Sequence, residues 1–292
     1  MSDFHGLPTA TLANEHLRLE YLTKAGPRIV GLSYLGSPNL LGDVFDECWE
    51  TPHGQYYLLG GHRLWISPEI PEKTYIPDKT GLLAREFPGG VELTGEHETG
   101  SGVRKSLRIE LESTTPIIRL THTILNENAG PITVAPWAIS MFSQGGTVIL
   151  PQPVGNSDPH GLLNNRLIAL WPKTRINDSR LILRDDFILI RATSGLPPIK
   201  IGYSNTAGWL AYWKNGILFR KSFDLHPGSV YPDGGCNTES YCGDRFVELE
   251  TLGPLQTLAS GATAYLTETW ELQGSLDSNL IPEEMKKLVQ NG

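Results

Sequence analysis

From Leu17 onward the chain alternates apolar and polar residues with a period of two, the pattern of strands that bury one face and wet the other. Two short runs, residues 17–23 and 28–35, are hinged at Ala25-Gly26-Pro27, which predicts a hairpin or a strand pair bent at a bulge. Alternation returns from about 81 to 125 in GGVELTGEH, VRKSLRIELES and IIRLTHTILNE, separated by Gly-Ser-Gly and Thr-Thr-Pro turns. It continues through ITVAPWAISMF, TVILPQPV, LIALWPK, LILRDDFILIRAT and IKIGYSN. The run WLAYWKNGILFRKSFD predicts a hairpin turning at Lys214-Asn215-Gly216, because Asn-Gly takes the left-handed conformations a two-residue turn needs.

Two stretches break this habit. Residues 38–80 mix aromatics (Phe45, Trp49, Tyr56, Tyr57, Trp65, Tyr75) with Gly and Pro and show no sustained period; irregular stretches of that length inside a compact domain are usually functional. At the other end, Pro282, then Glu283 and Glu284, then Lys286 and Lys287 match a helix dipole and predict a short C-terminal helix over about 282–290.

Composition narrows the class to all-β. The 292 residues are 39% hydrophobic, enough for a sizeable core, and 31 Gly with 21 Pro punctuate the chain too often for long helices. No repeat, linker or composition shift marks a boundary, so one domain spanning 1–292 is expected, its core at about 12–272.

Charge and cysteine content exclude other classes. The net charge of −8 comes from 24 basic and 32 acidic side chains, with no Lys/Arg block to neutralise a run of phosphates, so no nucleic-acid partner is expected. The first residues lack the charged and apolar regions of a secretory signal, and no run of about 18 apolar residues occurs, so the reading is a soluble, cytoplasmic protein without a membrane partner. Cys48, Cys236 and Cys242 are sparse and odd in number, as reduced thiols would be. The eight His residues show no metal-ligand spacing, and neither a metal nor a cofactor is expected, although a divalent cation near Asp233 stays open. Oligomeric state is not legible.

The last two strands carry the strongest chemical signal. In FVELETLGPLQTLASGATAYLTETWEL, Glu248 and Glu250 lie two apart and so point to one face, with Glu268 on the following strand. Either Glu250 or Glu248 is a candidate general base, or else a solvated carboxylate paired with a neighbouring cation. Upstream, Gly60-Gly61 precedes His62 and Arg63 and allows close chain approach there. The segment YPDGGCNTESYCGD adds Asp233 and Glu239 beside a Gly-Gly turn.

These pieces, in this order, resemble the galactose mutarotase-like (aldose 1-epimerase-like) superfamily. AGPRIVGLSYLG is similar to its first hairpin, GGHRLWISPE to the loop bordering its sugar site, and FVELETL with LASGATAYLTETWEL to its closing strand pair. The resemblance implies a β-supersandwich of two large, mainly antiparallel sheets with a concave, sugar-binding face. It implies mutarotation, in which a base takes the anomeric hydroxyl proton while an acid protonates the ring oxygen. The position matching the family's catalytic Glu is Glu250.

The family's acid is a His, and the matching segment here, Ala135-Pro136-Trp137-Ala138, puts Ala135 in its place. His62 is then the first alternative acid. Arg63, Glu69, Trp65, Trp137, Asp233, Glu239 and Glu248 complete the candidate set, the carboxylates and Arg63 for hydroxyls and the Trp rings for sugar C–H faces. The ligand expected is a small molecule or a glycan. A non-catalytic carbohydrate-binding protein, or a cleft recruited to another small molecule, fits the same residues.

Overall fold

The computed structural model describes residues 3–274, so the helix expected at 282–290 lies outside the described residues. Two large antiparallel sheets, of eleven and ten strands, pack face to face, and the helices are single turns at Pro71–Thr74 and Pro232–Gly235. The first sheet runs across Leu17–Leu22, Arg28–Tyr34, His62–Ser67, Ile132–Ser143, Phe246–Leu252, Thr238–Cys242, Ile199–Tyr203 and Ile168–Leu170. The second is centred on Thr263–Gln273, flanked by Ile117–Asn126 and Ile217–Phe223. Among the described residues, no helix is long and apolar enough to cross a membrane.

The alternating pattern explains both sheets. Leu19, Leu32, Val247 and Leu249 of the first meet Leu107, Ile109, Phe219 and Trp270 of the second in one apolar layer. Each fully buried Leu or Phe there contributes about 1.5–3 kcal/mol relative to exposure. The strand pair at 17–34 carries a register shift between Glu20 and Tyr21, the bulge its hinge predicts. Asn215 and Gly216 both take positive φ in the two-residue turn joining Trp209–Lys214 to Ile217–Phe223.

Residues 38–80 are more regular than their sequence suggests. They form a hairpin, Asp43–Thr51 with Gly54–Gly60, and then the strand His62–Ser67. A register shift between Val44 and Cys48 interrupts the two-residue period of the hairpin, and His62–Ser67 is buried on both faces, so neither shows clean alternation. The hairpin packs Val44, Tyr56 and Leu58 onto Trp65, Trp137 and Leu252, on the face of the first sheet turned away from the second. Gly60 and Gly61 make this possible: both have positive φ, and a Cβ on either would lie about 2 Å from the carbonyl oxygen of Gly42 or Ile29.

Candidate functional site

Adjacent residues of one strand point to opposite faces, and that rule separates the buried polar residues into two groups. The cross-strand register lines up Arg28, Arg63, Ile139, Glu250, Glu239 and Gly202 in one row across the first sheet. Paired residues share a face, so this row lies on the outer face. A neighbouring row carries Met141, Glu248, Tyr241 and Lys200. His62 and Thr251 point the other way, between the sheets.

On the outer face Lys200 is the hub. Its Nζ lies 2.7 Å from Glu239 Oε2 and 3.1 Å from Glu250 Oε2. The same ammonium stands 4.6 Å and 4.7 Å from the ring centroids of Trp137 and Trp171, and the Trp137 indole N–H donates to Glu250 Oε2 at 2.9 Å. Burial alone would lower the lysine's pKa, but Glu250 and Glu239 outweigh it and hold it above its usual value. One cation serves two carboxylates. Burial, reinforced by Glu250, pushes Glu239 well above the carboxylate range despite Lys200. Glu248, bonded by Arg63 Nη2 at 2.8 Å, is also raised by burial.

This face carries buried polar atoms without partners among the described residues. They include Nε and Nη1 of Arg63, Ser67 Oγ, Oε1 of Glu250 and both carboxylate oxygens of Glu239, of which Oε2 meets Lys200 as a charge pair. Arg63 is 2% exposed, Glu239 1% and Glu250 0%. A buried polar group left without a hydrogen bond costs about 1–3 kcal/mol, so a cluster of them calls for an explanation.

The remaining sequence candidates divide. Trp65 and Trp137 are brought together, with ring centroids 5.3 Å apart, and the Arg63 guanidinium lies over Trp65 at 4.2 Å. Glu69 is exposed and accepts from the Tyr75 hydroxyl, whose ring packs against Trp65. Asp233 is exposed in a left-handed turn, and its charge helps to raise Glu239. Arg28 is wholly buried, held by Asp78 and the carbonyls of Leu58 and Gly60. His62 and Glu250 are not brought together.

Between the sheets lies the second group. His62 Nε2 and His122 Nε2 are 2.7 Å apart, His62 Nδ1 is 2.9 Å from Ser140 Oγ, and His122 Nδ1 is 2.9 Å from the Leu266 carbonyl oxygen. A carbonyl only accepts, so His122 Nδ1 carries a proton and, in the neutral ring, its Nε2 accepts from His62. His62 Nδ1 then accepts from the Ser140 hydroxyl, which in turn receives the Lys221 ammonium at 3.3 Å. Lys221 pairs with Glu268 at 3.0 Å, and Glu268 also accepts from Thr251 Oγ1 and from Trp270 Nε1. Burial works against the Glu268 carboxylate, but Lys221, with the hydrogen bonds from Thr251 and Trp270, holds it below its usual range. Burial, with the neighbouring cations, drives His62 well below the ordinary imidazole value, and burial lowers His122.

This arrangement corrects one expectation. Ala135 pairs with Ser67 on the outer face, and the expectation that the acid histidine has been replaced by Ala135 is not borne out. His62, His122 and Glu268 form a buried constellation of the kind found in catalytic sites, their ligating atoms within 4.8 Å of one another. Those atoms are engaged with each other and with Ser140, the Leu266 carbonyl, Lys221, Thr251 and Trp270.

With this geometry in view, the sandwich can be set beside known proteins. Solved structures match over nearly the whole chain: a galactose mutarotase-like protein from Lactobacillus casei ATCC 334 (11% identity, 91% of this chain and 100% of that one, TM-score 0.52) and a candidate aldose 1-epimerase from Escherichia coli K12 (14%, 92% and 100%, 0.54). The chain has the galactose mutarotase-like fold. The Slr1438 protein of Synechocystis sp. PCC 6803 shares this mutarotase-like sandwich as well (11%, 94% and 99%, 0.59). No protein-family model and no curated protein matches by sequence. In this mutarotase-like frame, Lys200, Trp171, His122, Ser67, Ser140 and Lys221 are not among the candidates the sequence offered. Lys200 and His122 had a signal, since each is a polar residue at a strand position otherwise held by apolar side chains or flanked by them.

Proposed function

We propose that this protein binds a sugar on the outer face of its first sheet and moves protons at the anomeric centre, as an aldose 1-epimerase-like protein of the cytoplasm; three free thiols suit that compartment. The observation that carries the reading is the set of orphaned polar atoms on one face: guanidinium donors from Arg63, a hydroxyl from Ser67, and carboxylate oxygens from Glu239 and Glu250, beside Trp65 and Trp137. A polyol offers donors and acceptors together with apolar C–H faces, which is the complement of that set.

Glu250 acts as the base and Glu239 as the acid. The two are directly opposed on neighbouring strands; Lys200 and Trp137 both donate to Glu250, while burial raises the proton affinity of Glu239 despite Lys200, which suits it to the acid's part. The Glu250 carboxylate takes the anomeric hydroxyl proton as Glu239 delivers its own to the ring oxygen. The C1–O5 bond breaks and an open-chain aldehyde forms. Rotation about C1–C2 and reversal of both transfers closes the ring with the other configuration and restores each carboxyl group. Arg63 and Ser67 hold hydroxyls.

Exchange NMR of mixed anomers of glucose and galactose tests this. The protein speeds interconversion above the buffer rate, and Glu250→Gln and Glu239→Gln each abolish the acceleration. A second reading, sugar binding without turnover, is favoured by the Lys200 ammonium seated between the two carboxylates. Binding without exchange in the wild type selects it.

A further inference from the structure

Arg63 faces two ways. Its Nη2 bonds Glu248 on the outer face, while the same residue helps to line a cavity of about 280 Å³ between the start of the strand Arg28–Tyr34, residues 76–80 and the strand Gly90–Glu98. Arg28, one strand away in the same row, lines that cavity too. Both side chains are buried, and Nε of Arg28 with Nε and Nη1 of Arg63 have no partner among the described residues. Lys105 approaches from the second sheet.

The charges of the cavity already balance. Asp78 pairs with Arg28 at 3.0 Å, Glu98 with Lys105 at 2.8 Å and Glu248 with Arg63 at 2.8 Å, and the exposed Glu96 adds a further carboxylate at the mouth. An anion entering would meet Glu96 with no uncompensated cation to receive it. A neutral ligand rich in hydroxyls meets donors from the two guanidinium groups and acceptors from the carboxylates, while Tyr56 and Trp65 offer aromatic surface. The volume lies at the small end of ligand pockets, room for one ring and little more. Arg63 stands two strands from Glu250 in the same row, a span of about 10 Å from the ordinary strand spacing.

We infer that the cavity is a second sugar subsite, so that the ligand is a neutral oligosaccharide of at least two residues, one at Glu239 and Glu250 and the next in the cavity, with Arg63 at the junction. This rests on the sugar-binding reading above and extends it from a free monosaccharide to a chain. Residues at the mouth, Thr80 among them, then set preference for chain length without touching the carboxylate pair.

Titration calorimetry with matched pairs tests it: glucose against maltose and cellobiose, galactose against lactose, mannose against mannobiose. The inference expects at least one disaccharide to bind about tenfold or more tightly than its monosaccharide. Thr80→Trp, which fills the cavity from an exposed loop position, then removes that gain and leaves monosaccharide affinity within about twofold. Glu96→Gln is a milder second variant that shrinks the same gain. If monosaccharides bind and the second residue adds nothing, or its gain survives Thr80→Trp, the subsite is refuted and the sugar-binding reading stands. If no sugar of either length binds, the sugar-binding reading itself falls and takes the subsite with it.

Discussion

Two buried polar clusters sit back to back on the same strands. Arg63 and Glu250 belong to the outer one, and their immediate neighbours His62 and Thr251 to the inner one. Both are buried, both mix cations with carboxylates, and both hold aromatic rings. They differ in how their hydrogen bonds close. In the inner cluster the direction of each bond follows from the one before, from Lys221 through Ser140, His62 and His122 to the Leu266 carbonyl, and Glu268 takes Thr251 and Trp270 on its two oxygens. In the outer cluster, Arg63, Ser67, Glu239 and Glu250 keep atoms with no hydrogen-bond partner among the described residues. A closed network fixes a structure. An open one is held at a cost that a ligand can offset.

The largest effect that would sharpen this contrast is in the inner cluster. Lys221→Met leaves Glu268 as an uncompensated buried charge, and removing one partner of such a pair costs about 3–5 kcal/mol. Urea unfolding should show that loss, while sugar binding by the folded fraction is retained. Loss of binding with little change in stability would reverse the roles of the two clusters.

Glu250→Gln is the counterpart on the outer face. The amide still accepts from Trp137 and Lys200, and Glu239 at 2.7 Å can ionise beside the ammonium, so stability falls less than in Lys221→Met, whereas removal of a general base typically lowers a rate 10²–10⁴-fold, about 3–5 kcal/mol in the barrier. Anomer exchange reads this directly. An exchange rate that follows His122→Asn and ignores Glu250→Gln would move the chemistry to the inner cluster.

Acid separates the faces by sign. His62 and His122 take up protons less readily when folded than at the ordinary value of 6.5, so below about pH 6.5 the unfolded chain binds more protons and stability falls as pH drops. Each histidine contributes a slope of up to about 1.4 kcal/mol per pH unit. Glu239 works the other way. Its folded affinity for a proton exceeds that of an ordinary carboxyl at 4.5, so acidification from its raised value down to about 4.5 adds stability. Glu239→Gln removes the opposing contribution, and its stability between pH 6.5 and 4.5 should fall more steeply than that of the wild type in denaturant titrations. A shallower fall would mean that Glu239 is ionised when folded.

The sequence carried the sandwich more readily than the site, for reasons visible in single residues. Alternation marks which faces are buried, and the Asn215-Gly216 turn and the bulge near Glu20 follow from local chemistry alone. Alternation also puts Glu248 and Glu250 on one face. It does not say which face of a doubly buried strand looks where, and His62–Ser67 has no wet side to give the answer. The pairing of His62 with His122 spans 60 positions and two sheets, so it depends on packing that no local pattern reports. Yet a trace was there: His122 occupies the same strand face as the buried Ile118, Leu120 and Ile124, and Lys221 the same face as Phe219 and Phe223. A charged residue at a core position announces a buried partner without naming it.

The smallest effect tests whether the open atoms of the outer face bind anything. Arg63→Lys keeps a cation for Glu248, so the buried charge there stays paired and stability should drop by less than the about 3–5 kcal/mol that loss of a partner costs. What it removes is the fork, because an ammonium that turns to Glu248 cannot also present the Nε and Nη1 donors left unpaired in the wild type. The guanidinium plane stacked on Trp65 is lost as well. If those donors hold sugar hydroxyls, affinity falls roughly tenfold, the worth of one or two neutral hydrogen bonds. If affinity is unchanged in calorimetry while Glu250→Gln still abolishes exchange, Arg63 serves only to place Glu248, and the sugar is held by the carboxylates and the rings.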